Sequence, residues 1–187
     1  MKRSMMQTVF LLVFLLYPLC AGASVIQEKV YDICKYGAKG DGKTLNTNAI
    51  NSAIEYCAEN GGGTVLIPKG TFLSGTIYLK DNISLVLRKG AVLKGTADVS
   101  QYKSYTPLGN LSMFDSGGDG ENANSAIDPH WNRALILGVG VSNISIEGEG
   151  IIDGNHVFDS EGEENMRGPH TIIIAESRNI LMRGITL

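Results

Sequence analysis

Apolar positions along this chain come in short runs of Ile, Val, Leu and Thr, separated by Gly and Asn and lacking helical spacing. Three stretches nearly repeat one another: Asn82-Ile-Ser-Leu, Asn143-Ile-Ser-Ile-Glu-Gly and Asn179-Ile-Leu-Met-Arg-Gly. The last two lie 36 residues apart, and a non-repeating polar segment of 14 residues, Asn155 to Gly168, sits between them. Without that segment the spacing is 22, which sets Leu135 opposite Thr171, Ile144 opposite Ile180 and Gly148 opposite Gly184. A period near 20 residues built of strand-forming runs points to a stacked solenoid rather than one closed core. The pattern predicts an all-β chain folded as a parallel β-helix.

Along the chain, Glu28 to Tyr36 reads as a first strand and Gly37 to Gly42 as a turn-rich loop. Thr47 to Ala58 is the convincing helix: Ile50, Ala53, Ile54, Cys57 and Ala58 fall on one face. Asn46 or Thr47 is expected to cap its start, and Gly61 to Gly63 to end it. One amphipathic helix ahead of a run of strands predicts an N-terminal cap over the first open coil. Strands are then expected at Thr64 to Ile67, Thr76 to Leu79, Ile83 to Leu87 and Ala91 to Leu93, and again from Ala134. Two insertions interrupt them, Thr96 to Arg133 and Asn155 to Gly168, and long loops on a rigid scaffold usually carry function. The chain stops at Gly184 to Leu187 on an apolar strand with nothing to cover it, so truncation at the C-terminal side is expected.

Residues 1–23 read as a secretory signal: Lys2 and Arg3, an apolar run from Val9 to Leu19, and Ala21-Gly-Ala23 for cleavage. The run is too short to span a bilayer, and soluble export is favoured over a lipid anchor at Cys20. Residues 24–187 then form the N-terminal part of a single β-helix domain. Cleavage removes two cations and no acid, so the net charge moves from −3 to −5. No basic stripe of a nucleic-acid binder is evident, and no membrane partner is expected after cleavage. Cys34 and Cys57 could pair in an oxidising compartment, but two separate small residues, one on a strand and one on the helix, is the favoured reading. Neither a Cys/His cluster nor a calcium loop is present, so no metal is assigned.

Four blocks carry a resemblance: Tyr36 to Thr44 followed by the helix, Gly61 to Phe72, Gly90 to Gly95, and Ile146 to Gly154. Together they resemble the N-terminal half of the polygalacturonase-like glycoside hydrolases (family 28), from about Val30 to Leu187. The opening block is shared across pectinase-type β-helices, while Ile152-Asp-Gly154 and Arg167-Gly-Pro-His170 pull towards the hydrolases. The resemblance implies a right-handed parallel β-helix with an N-terminal cap, and a secreted (extracellular or periplasmic) enzyme performing inverting hydrolysis of pectic, uronate-containing polysaccharide without a cofactor. It also implies catalytic motifs of the types Asn-x-Asp, Asp-Asp, Gly-His-Gly and Arg-x-Lys on later coils. The chain contains no Asp-Asp, Gly-His-Gly or Arg-x-Lys, so its catalytic residues are expected beyond Leu187 and these residues alone are expected to be inactive. The alternatives are a polysaccharide lyase or epimerase-like relative, usually calcium-assisted, and a non-catalytic β-helical carbohydrate-binding protein.

Candidate binding residues cluster where the insertions rejoin the solenoid. Arg167 and His170 could hold a uronate carboxylate, the arginine through its bidentate fork. His130 and Trp131 could supply a stacking platform, although packing of the loop onto the solenoid explains Trp131 at least as well. Asp153 reads as a turn residue ahead of Gly154 rather than a carboxylate facing a sugar. Asn82, Asn143 and Asn179 read as structural, each satisfying turn backbone groups, and the first two also fit the glycosylation sequon, as does Asn110. Asp159, Glu161, Glu163 and Glu164 read as a solvated acidic patch.

Overall fold

The computed structural model describes residues 29–109, 132–160 and 168–187. Among the described residues thirteen strands, in chain order, close three sheets around one apolar interior. Sheet A stacks β1 (Val30–Asp32), β3 (Gly63–Ile67), β6 (Ile83–Leu87), β10 (Ser142–Gly148) and β13 (Arg178–Arg183). Sheet B stacks β2 (Asp41–Leu45), β4 (Gly70–Ser74), β7 (Ala91–Gly95) and β11 (Ile151–Asp153). Sheet C stacks β5 (Ile77–Tyr78), β9 (Arg133–Val139) and β12 (His170–Ala175), with β8 (Lys103–Ser104) antiparallel to β9. All other pairings are parallel, and each coil visits A, B and C in turn, a right-handed parallel β-helix.

The interior is made of like residues stacked coil on coil. Val65, Leu85 and Ile146 stack from sheet A, Phe72, Leu93 and Ile152 from sheet B, and Ile77 and Ile136 from sheet C, all fully buried. Burying each such side chain contributes roughly 1.5–3 kcal/mol, so the stacks rather than strand length hold the coils together. The predicted register is present: Ile144 pairs with Ile180, and the bonds from His170↔Ala134 to Ala175↔Val139 keep the same 36-residue offset. Gly148 and Gly184 lie at one corner with φ of 121° and 77°, and a Cβ on Gly148 would fall 2.0 Å from the Leu87 carbonyl oxygen. Only glycine fits there.

Helix α1 (Thr47–Glu59) closes the N-terminal end, with Ile50, Ala53, Ile54 and Cys57 buried against the first coil. It ends as expected: Gly61 N–H donates to Ala58 O and Gly62 N–H to Cys57 O, with Gly61 at φ 87°. Its start differs from expectation. Asn46 stands at the N-cap but makes no side-chain cap bond. Its buried carboxamide instead accepts from Lys39 N and donates to the carbonyls of Lys39, Thr44 and Leu73, tying the opening loop to β4. Asn51 shuts the free edge of sheet C, donating to Thr76 O and accepting from Tyr78 N.

Several expectations are corrected. The first strand covers only Val30–Asp32, because the Asp32 carboxylate accepts from Cys34 N and turns the chain into a 3-10 helix at Ile33–Tyr36. The expected loop 37–42 runs into strand β2, and β4, at Gly70–Ser74 and outside the expected strands, is a full strand. Cys34 lies exposed on that 3-10 helix while Cys57 is buried on α1, and both are free thiols. The signal segment 1–23 lies outside the described residues.

Candidate functional site

Both insertions leave the solenoid at the same place. The first departs after β7 and returns at β9; the second departs after β11 and returns at β12. Each therefore bridges from sheet B to sheet C. In the first coil the same corner is only Gly75 and Thr76. The two returning strands lie side by side, Ala134 against His170. The ends of the two insertions are thus neighbours along one border of sheet B.

A buried ion pair stitches them together. Arg133, the first residue of β9, meets the Asp159 carboxylate of the second insertion, with side chains 16% and 8% exposed. Asp159 is therefore no solvated acid, contrary to the sequence reading; burial of a charge is tolerated here because a guanidinium answers it. Glu161, Glu163 and Glu164 lie outside the described residues.

The outer face of sheet B carries the side chains left over by the internal Phe72–Leu93–Ile152 stack. Leu73, Lys94 and Asp153 follow one another across three coils, beside Thr71, Val92 and Ile151. Lys94 Nζ stands 3.4 Å from Asp153 Oδ2, both side chains a little over one-third exposed. The other Asp153 oxygen accepts from Asn155 N at 2.7 Å, the turn role expected for it. Tyr102 packs behind this face, in the interior beside Gly95. Its buried hydroxyl donates to Thr96 O at 2.7 Å, and burial, then the nearby Asp153 charge, push its pKa up to about 12. Tyr102 is a fixed donor at ordinary pH.

Of the residues nominated from sequence, His170 begins β12, half-buried at the point where the second insertion rejoins. Arg167, His130 and Trp131 lie outside the described residues. Sequence reasoning overlooked Lys94, Tyr102 and the Arg133–Asp159 pair. Only the outward position of Lys94 in an alternating strand hinted at any of them. Chemically, the face offers a cation beside a carboxylate, Lys94 and Asp153, groups that suit a charged sugar. Asp41, Asp98 and Glu147 are all held below the usual carboxylate range, Asp41 by backbone N–H donors of Thr44 and Lys43, Asp98 and Glu147 first by serine side-chain donors. A general acid needs the opposite shift. Among the described residues no group of three His, Cys, Asp or Glu side chains could hold a metal ion.

Comparison with known proteins agrees with this geometry. An exo-poly-α-D-galacturonosidase of Dickeya chrysanthemi is 39% identical over 128 residues, 68% of this chain and 20% of that protein. A probable polygalacturonase of Vitis vinifera is 32% identical over 123 residues, 64% of this chain and 23% of its own. The chain therefore spans roughly a fifth of the length of these relatives. The family 28 exopolygalacturonase of Yersinia enterocolitica superposes with a TM-score of 0.62 at 22% identity, over 85% of this chain and 34% of that one, which establishes the shared fold. The family described as rhamnogalacturonase A/epimerase, pectate lyase-like matches residues 30–173, and the chain belongs to it.

Proposed function

We propose that this chain is the front part of a secreted glycosidase acting on pectic polysaccharide, exported through its first 23 residues. The observation that carries the reading is that both insertions leave and rejoin the solenoid on one border of sheet B, where Arg133 meets Asp159. Beside that border the face presents Lys94 and Asp153. Concave ground between a rigid sheet and projecting loops is where extended ligands bind. The polygalacturonase relatives support pectic uronate as the substrate.

In this reading Arg167 and His170 hold a uronate carboxylate and Trp131 with His130 offers a stacking surface. Hydrolysis proceeds with inversion: one carboxylic acid protonates the leaving oxygen while a second carboxylate activates water from the opposite side, the two about 6.5–9.5 Å apart. The resemblance implies that these two groups belong to later coils; Asp41, Asp98 and Glu147 serve here as turn and cross-coil anchors. The family's own description includes epimerase and pectate lyase-like members, which supports proton abstraction beside the carboxylate as the second reading.

Incubation of the product of the complete gene with polygalacturonate decides between them. Release of products saturated at their new non-reducing ends, with inverted anomeric configuration at the new reducing ends and unaffected by chelator, is expected. Unsaturated, calcium-dependent products would replace hydrolysis by lyase chemistry, and robust cleavage by residues 1–187 alone would show that the acid and base have been misplaced.

A further inference from the structure

A second charged feature lies on the opposite border of sheet B, at the corner where sheet A turns into it. In the first coil this corner is Pro68 and Lys69; in the second it is Arg88, Lys89 and Gly90; in the third it is Glu149 and Gly150. Backbone bonds stack the corners, Arg88 N–H to Ile67 O, Gly70 N–H to Gly90 O and Glu149 N–H to Leu87 O. Lys69, Arg88 and Lys89 are all exposed.

The stem of Lys69 lies flat over Gly90: its Cγ, Cδ and Cε are 3.3, 3.6 and 3.7 Å from the point where a Cβ would stand on that glycine. A side chain on residue 90 would lift the lysine away. The missing side chain therefore lets the Lys69 stem run onto the next coil, beside Arg88 and Lys89. Among the described residues neither Lys69 nor Arg88 has a carboxylate partner. Lys89 has only Glu149 at 3.8 Å, with side chains 84% and 72% exposed. An exposed pair of that length is weakly held and yields to a better anion. Lys94 and its partner Asp153 lie at the far ends of β7 and β11, towards the insertions. The carboxylates on this border are Glu149 and Asp41, the latter occupied by its own turn.

The rest of the molecule is acidic, with a net charge of −3 over the whole chain. A polyanion is repelled by most of such a surface and concentrates where cations gather. Coils repeat about every 4.8 Å, close to the length of one hexose unit, so a sugar chain laid along the solenoid axis meets one corner per residue.

We propose that Lys69, Arg88 and Lys89 form a binding strip for a polyuronate chain running along the solenoid axis, a second border to the face flanked by the insertions. The choice of a pectic polyuronate rests on the proposed function; the strip itself rests on the charge geometry. Its test is affinity electrophoresis of the chain at low salt through gels holding polygalacturonate, alginate or a neutral galactan. The triple variant K69E/R88E/K89E, and its milder form K69Q/R88Q/K89Q, is compared with the charge-matched control K29E/K35E/R178E. Thermal melts confirm that each is folded.

Retardation by polygalacturonate should weaken at least about tenfold in the strip variants and persist in the control. Equal loss in the control would reduce the effect to net charge and overturn the proposal. Undiminished retardation of the strip variants would also overturn it while leaving the pectic reading standing. Equal retardation of the parent by alginate and polygalacturonate, abolished in both by the strip variants, would support the strip and remove the support for pectic substrate. Migration of the parent unaffected by either polyanion would overturn both.

Discussion

Asn179 donates its side-chain amide to the carboxamide oxygen of Asn143 across 2.9 Å, and Asn143 donates in the same way to Asn82 across 2.8 Å. The three residues sit at one corner of successive coils with φ of 56°, 59° and 60°. The sequence repeat suggests that each amide satisfies turn backbone; in the structure it bonds the equivalent amide one coil away. Asparagine tolerates the left-handed region and supplies one donor and one acceptor along the stacking direction, so it suits both demands.

The two contributions separate by mutation. Asn143→Ala loses both amide bonds and adds left-handed strain, and should destabilise the chain by roughly 2–3 kcal/mol in urea unfolding. Asn143→Gly keeps the backbone at ease and should cost about 1 kcal/mol. Equal costs for the two variants would mean that the ladder, not the strain, sets the stability of this corner.

The Arg133–Asp159 pair predicts a strong non-additivity. Arg133→Met leaves a carboxylate that is 8% exposed without its guanidinium, and either single truncation should cost about 3–5 kcal/mol. The double variant R133M/D159N should cost well under the sum, because no uncompensated charge remains. Additive losses in a double-mutant cycle would show that the insertions are held by other contacts.

Acid should loosen the coils at identifiable points. Asp41 is depressed from 3.8 to about 2 by the backbone donors Thr44 and Lys43, and Asp98 and Glu147 are lowered too. A carboxyl with a depressed folded pKa contributes stability that is fully present above its unfolded pKa and disappears as pH falls through the folded one. Stability should therefore decline between about pH 4 and pH 2, and Asp41→Asn should flatten that decline. An unchanged slope in the variant would place the acid sensitivity elsewhere.

The coil repeat was legible because stacking copies the same demand every turn: Ile144 over Ile180 and Gly148 beside Gly184 recur in the sequence as they do in space. The helix was legible from its single apolar face. The division of each coil into three sheets was not. Strand β4, Gly70–Ser74, is bounded by glycines and short enough to read as a turn, and β2 is an edge strand of polar residues. Asn46 looked like a helix cap because its spacing is local, whereas its bonds reach Lys39 and Leu73. Asp159 looked solvated because its partner is 26 residues away. Of the candidate site, the border where the insertions sit could be read from sequence; the outward Lys94–Asp153 pair could not, since it depends on a register set by the stacked sheets.

The central claim is that the outer face of sheet B, between the insertions and the Lys69–Lys89 corner, binds pectic uronate. Hydrogen exchange measured by mass spectrometry on the dilute chain with and without trigalacturonate tests this most directly. Slowed exchange in β7, β11 and the Thr96–Lys103 segment, diminished in Lys94→Ala, is the expected result. Protection confined to sheets A and C, or none at ligand concentrations that saturate polyuronate retardation, would contradict the account.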